Sequence, residues 1–275
     1  MTINEKGEEK LVDIEGRIIH FIQLERLVQV NSTRLYGNMS YKYGPHEQVK
    51  ANREVFWSDL LHKVSEIKKS RKILEPIILN PQMSEEIILV EKEMSGEGWL
   101  KLSSLKCDGL LFLKPTPIIP LGFVAADCAP VSIYLPSSDT LMLVHVSRKN
   151  IAIIQDALEI LHGLYLAAIY DTRGKIKLVS SSNPNFELFV IIGPAARYQF
   201  NTYQTTQKEI FIDIHREVIK QLEEFEKKVP IVSMTVCCSA YHTTDSDSLF
   251  YSHHLISQGR SSKEEARFMS LTMLI

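Results

Sequence analysis

Residues 121–146 read Leu121-Gly122-Phe123-Val124-Ala125-Ala126-Asp127-Cys128-Ala129-Pro130-Val131-Ser132-Ile133-Tyr134-Leu135-Pro136-Ser137-Ser138-Asp139-Thr140-Leu141-Met142-Leu143-Val144-His145-Val146. Three short apolar runs fill this stretch, Gly122 to Ala126, Val131 to Leu135 and Leu141 to Val146, and they are broken by Asp127, Pro130 and a Pro-Ser-Ser-Asp turn. Runs of this length between turn formers predict buried strands. Leu110 to Leu113, just upstream, is a fourth. The same stretch delivers Cys128 behind one strand end and His145 at another. A thiolate and an imidazole on neighbouring strands can hold a zinc ion, or can act together as nucleophile and base.

Working outward, Ile14 to Leu27 carries apolar stretches suited to strands. From His46 to Lys69 the residues Val49, Phe56, Leu60, Val64 and Ile67 follow helical spacing with one gap at Arg53, which predicts an amphipathic helix. Lys68-Lys69 and Arg71-Lys72 suit its C-terminal dipole. Ile151 to Tyr165 predicts a second helix, and Glu209 to Lys228 a third with Ile214, Val218, Leu222 and Phe225 inside. Glu187 to Ile192, Ile231 to Val236 and Phe268 to Leu274 read as further strands. There is no internal repeat and no low-complexity linker. The expectation is one α/β (α+β) domain over residues 14–275, mixed sheets flanked by helices, behind a loose charged segment at 1–13.

The 275 residues are 45% hydrophobic, enough for a sizeable core, and 31 basic against 33 acidic residues leave a formal charge of −2. No electrostatic footprint points to nucleic acid or an anionic membrane. A small molecule or a protein is the expected partner. Four cysteines make no disulfide framework, and Met1-Thr2-Ile3-Asn4-Glu5-Lys6 lacks a signal peptide's apolar stretch, so reduced thiols and a cytoplasmic location are expected. No apolar run reaches the roughly 20 residues that cross a bilayer.

Most candidate residues also have an ordinary reading. A strand-end cysteine such as Cys128 is commonly a small core residue, and a strand-end histidine such as His145 a hydrogen-bonded structural one. Ser147-Arg148-Lys149-Asn150 offers backbone donors and cations to an anion, or is a solvated turn. Gly193-Pro194 reads as a turn, and Cys237-Cys238 as structural thiols. Adjacent strand side chains face opposite ways, so at most one of His253 and His254 reaches a given ion.

The order of segments resembles the laccase-domain proteins. These are also called YfiH-like or multicopper polyphenol oxidoreductase proteins, and are now regarded as zinc-dependent purine nucleoside phosphorylases. The resemblance rests on Gly37-Asn38-Met39-Ser40 with Gly44, Val49 and Asn52-Arg53, on Cys107-Asp108-Gly109, and on Ala126-Asp127-Cys128-Ala129-Pro130-Val131. It continues through His145, Ile192-Gly193-Pro194, Asp213 with Gln221-Leu222, Phe250-Tyr251-Ser252 and Ala266-Arg267-Phe268-Met269. It implies the YfiH-like fold and a zinc ion on Cys128, His145 and a third histidine. It also implies substrate and phosphate contacts from Asn38, Arg53, Arg148, Lys149 and Arg267, with Cys128, His145 and Arg53 as catalytic residues.

Three departures stand out. The third zinc position falls on Ser84 in Gln82-Met83-Ser84, and a hydroxyl is a poor zinc ligand at neutral pH. His145-Val146-Ser147-Arg148-Lys149-Asn150 has lost the family's glycines, and Asn201 replaces a tyrosine unless Tyr198 or Tyr203 substitutes. The resemblance therefore implies phosphorolysis of adenosine or inosine, with possible adenosine deamination, on a weakened zinc site. The alternative is an inactive member serving as a binding or regulatory protein. A third reading is a metal-free cysteine-histidine hydrolase or deamidase, since the fold resembles that of cytotoxic necrotizing factor toxins. Copper is not expected, because nine scattered histidines do not supply roughly a dozen ligands. His20, His242, His253 and His254 are the candidates for a compensating ligand.

Overall fold

A computed structural model of the chain describes residues 2–3, 7–67, 72–114, 117–169, 186–200, 210–244, 248–253 and 265–275. Two mixed sheets lie face to face. The seven-stranded sheet runs β1 (Thr2–Ile3), β14 (Val232–Cys238), β11 (Phe186–Ile192), β9 (Ala129–Leu135), β10 (Thr140–Val146), β7 (Gly109–Leu113) and β6 (Ile87–Val90). The six-stranded sheet runs β2 (Glu8–Ile14), β3 (Arg17–Leu24), β4 (Leu27–Ser32), β15 (Phe268–Leu274), β8 (Leu121–Ala125) and β5 (Ile77–Ile78). A hairpin of β12 (Arg197–Phe200) and β13 (Ile210–Asp213) stands apart.

The layering explains why the apolar runs do not alternate. Val131, Ile133 and Leu135 of β9 and Met142 and Val144 of β10 share a core with α2 (Ile153–Ile169) and α3 (Ile214–Lys228). Tyr134, Leu141 and Leu143, from the opposite faces of those strands, pack with Leu121, Phe123 and Phe268 of the other sheet. The far side of that sheet is closed by α1 (His46–Ile67), whose Phe56, Leu60 and Val64 cluster with Val28, Val30, Met269 and Leu271. Helix, sheet, sheet and helix thus make four layers, and all seven residues of β9 and of β10 are buried. Strands covered on both faces carry apolar side chains on both.

The strands and helices predicted between Ile14 and Leu274 are present, with two corrections. Residues 8–13, expected to be loose, form β2. Their charged side chains hid a strand secured by its ladder to β3 and by a tight turn in which Glu15 and Gly16 both have positive φ. The third helix begins at Ile214 rather than near 209, because Ile210–Asp213 pairs with β12. Asp213 then caps the helix, its carboxylate accepting the Arg216 N–H at 3.2 Å. Among the described residues, no helix is long and apolar enough to cross a membrane.

Candidate functional site

The site is built where β8 hands over to β9. Asp127, between them, has φ of +89°, a region that side chains other than glycine rarely occupy. Its carbonyl accepts the Ala196 N–H at 2.8 Å, and its carboxylate accepts the Thr243 hydroxyl at 2.7 Å. Cys128 follows, half-buried, in the wall of a cleft of about 570 Å³ that His145 also lines.

His145 reaches the cleft from β10. Pairing of β7 with β10 places Val144 opposite Gly109, so Asp108 lies beside His145, and the two are joined at 2.6 Å between Oδ1 and Nδ1. Asp108 is fully buried in a turn whose N–H groups converge on it: Gln82 at 3.1 Å, Met83 at 3.1 Å and Ser84 at 2.7 Å, with the Ser84 hydroxyl at 2.8 Å. Burial pushes this carboxyl up, but the bonds from His145 and Ser84 outweigh it and hold it below the ordinary carboxylate range. Burial likewise lowers His145, yet the charge of Cys128 and the bonds to Asp108 and Cys128 raise it to about 9. With Nδ1 committed to Asp108, Nε2 is the nitrogen left for the Cys128 thiol. Asn150 ties the parts together, its amide donating to the Ser84 and His145 carbonyls at 3.0 and 3.1 Å.

The other predicted site residues divide. Arg148 and Lys149 are exposed and line the cleft. Arg267 lines it too, stacked on Tyr43 at 4.1 Å and paired with Glu265 at 2.8 Å. Asn38 does not line it, and instead braces a turn, accepting the Ser40 and Arg267 N–H groups at 3.0 Å each. Arg53, expected to grip phosphate, also lines the cleft, and its nitrogens hold backbone carbonyls as well. Its Nε and Nη2 donate to the Met39 carbonyl at 2.9 and 2.7 Å, and its Nη1 to Gly98 and Trp99 at 2.7 and 2.6 Å. Only 3% exposed, with its pKa lowered by burial to about 10, it pins two loops to α1. The gap it left in the helix's apolar face was the sequence signal for this burial.

The donor set does not fit the implied zinc. Ser84 stands at the third position and spends its hydroxyl on Asp108. His20 is enclosed by Glu9 and Asn31, the His242 ring packs at a tilt against His215, and His253 pairs with Glu265. His254, Asn201 and Tyr203 lie outside the described residues, as does the side chain of Tyr198. Among the described residues, no three His, Cys, Asp or Glu side chains are grouped to hold a metal. Cys237 and Cys238 face opposite cores, and burial pushes the Cys107 and Cys238 thiols up to about 12. The residues that sequence reading left without a role are Asp108, Asp127, Asn150 and Thr243. Of these Asp108, Asp127 and Asn150 stood inside quoted motifs, and Thr243 did not.

Two face-to-face mixed sheets flanked by helices define a YfiH-like architecture. The chain shares it with three solved structures. YfiH of Bacillus licheniformis matches with a TM-score of 0.62 and 18% identity, over 93% of this chain and 96% of that one. YlmD of Geobacillus stearothermophilus matches with a TM-score of 0.62 and 16% identity, over 97% and 99%. A Neisseria meningitidis protein of the DUF152 family matches with a TM-score of 0.60 and 14% identity, over 97% and 98%. The fold implied by the sequence resemblance is therefore the fold observed. No protein-family model and no curated protein matches the sequence.

Proposed function

We propose that the chain is a cysteine-dependent hydrolase or deamidase, with Cys128 as nucleophile, His145 as base and acid, and Asp108 as the group that orients His145. The observation that carries this reading is the 2.6 Å contact between Asp108 and His145 Nδ1, which leaves Nε2 to the thiol. A nucleophile, a base and an orienting carboxylate in that order form a catalytic triad by role.

In the step this arrangement supports, the Cys128 proton passes to His145 Nε2 and sulfur attacks an amide or amidine carbon. The departing amine or ammonia takes the proton back. Water, deprotonated by His145, then cleaves the thioester or its imidate, releases the acid or amide and restores the thiol. The cleft volume suits a small molecule or an inserted side chain. Among the described residues, Lys42, Arg53, Lys101, Arg148, Lys149 and Arg267 line it against a single carboxylate, Asp127, which favours an anionic substrate.

Zinc-dependent phosphorolysis of adenosine or inosine draws support from the same thiol and imidazole and from Arg148 and Lys149. It lacks a third donor in Ser84. The test measures iodoacetamide alkylation of each cysteine by peptide mass spectrometry in wild type and His145→Ala, with zinc content and adenosine and inosine phosphorolysis on the same samples. Cys128 is expected to react first at pH 7, and about tenfold or more slowly without His145. Stoichiometric zinc that disappears in Cys128→Ala, together with nucleoside turnover, overturns the proposal in favour of phosphorolysis. An unreactive Cys128 with no turnover leaves a binding protein.

A further inference from the structure

The thiol needs aiming as well as activating, and the aim is set by a contact from a distant part of the chain. Resting on the thiol-nucleophile reading, we infer that Thr243 is a positioning residue for Cys128, acting through the left-handed backbone of Asp127. A positive φ at a residue other than glycine persists only where its surroundings hold it. Asp127 is held by the Thr243 hydroxyl on its carboxylate at 2.7 Å and by the Ala196 N–H on its carbonyl at 2.8 Å.

Those two donors belong to one brace. β11 and β14 are parallel neighbours, so the chain leaves both at the same end of the sheet. The segments beyond them then pair: Ala195 bridges His242, and the Thr243 N–H donates to the Ala195 carbonyl at 2.9 Å. Just upstream, the Gly193 N–H donates to the Pro130 carbonyl at 2.8 Å. The brace therefore grips the chain on both sides of Cys128, at Asp127 and at Pro130. Thr243 is fully buried and does not line the cleft, so it touches no substrate. Removing its hydroxyl loosens the hold on Asp127, and a shift of its backbone toward negative φ carries Cys128 Sγ off the line to His145.

The test is the second-order rate of iodoacetamide alkylation at Cys128, at one fixed pH, on full-length protein whose far-UV circular dichroism matches wild type. Thr243→Val keeps the shape and removes the donor, and is expected to slow alkylation roughly tenfold to hundredfold, the scale of a displacement of about 1 Å at a reacting group. Thr243→Ser keeps the donor and is expected to stay within about twofold of wild type, a rescue that a packing role would not produce. Should Thr243→Val fail to fold, Thr243→Ala serves instead, because it also removes the hydroxyl donor to Asp127, and the same slowing is expected. Wild-type rates in these variants, with His145→Ala still slow, overturn the role of Thr243 alone. A rate that His145→Ala leaves unchanged overturns the thiol–imidazole reading itself, and the role of Thr243 with it.

Discussion

Asp108→Asn changes one atom of the clamp around His145 and has a calculable outcome. Oδ2 accepts the Gln82 and Ser84 N–H groups and the Ser84 hydroxyl, while Oδ1 accepts Met83 N–H and His145 Nδ1. If the new amide nitrogen takes the Oδ2 place, two backbone donors in a closed turn lose their acceptor. If it takes the Oδ1 place, Met83 N–H loses its acceptor and His145 must present a bare Nδ1, moving its proton to Nε2, where it can no longer receive one from Cys128. A buried donor left unpaired costs about 1–3 kcal/mol, so the variant is expected to lose about 2–4 kcal/mol of stability, read as a lower urea midpoint at unchanged slope. Reactivity at Cys128 should fall further than stability does. In the serine triad, the same substitution costs about 10⁴-fold through the wrong tautomer. A urea midpoint equal to wild type, with unchanged alkylation of Cys128, would refute the reasoning.

Arg53→Met leaves the carbonyls of Met39, Gly98 and Trp99 without their charged donor, and is expected to lower stability by about 3–5 kcal/mol in thermal melts. A phosphate-gripping arginine would instead leave the melt unmoved. Glu9 accepts bonds from His20, Ser239 and the Ala240 N–H, and although burial raises its pKa, these bonds lower it below 4.5. A depressed carboxyl stabilises above its unfolded pKa and ceases to as pH falls through its folded value. Glu9→Gln should therefore cost about 1–2 kcal/mol at pH 7, with the deficit vanishing in acid; a deficit independent of pH in urea titrations contradicts this. Ser84→His restores a third donor beside Cys128 and His145 and is expected to raise zinc content per chain by elemental analysis, and unchanged zinc would show that residue 84 does not point into the family's metal position.

Much of the fold was legible because the four-layer packing leaves its mark along the chain. β9 and β10 bury both faces, so their runs are unbroken, and α3 shows helical spacing from Ile214 to Phe225 because one side alone is covered. The misreadings have the opposite cause. β2 is an edge strand ordered by its ladder to β3, with only Val12 and Ile14 of its described side chains packed on the core cluster, and Ile210–Asp213 is claimed by β12, which no local pattern announces.

The site divides the same way. Residue type and strand-end placement marked Cys128 and His145 in the sequence, because thiol and imidazole are the groups with chemistry to offer there. Their partners depend on register and on which strand ends emerge together. Asp108 meets His145 only because β7 pairs with β10 in one alignment. Thr243 meets Asp127 only because β11 and β14 are parallel. The amino-acid sequence by itself determined most of the elements and marked the thiol and the imidazole at two strand ends. Only the tertiary structure decided that Ser84 serves Asp108 and that Arg53 is spent on carbonyls, since a hydrogen bond across dozens of residues is made by the packing of sheets and leaves no periodicity in the chain.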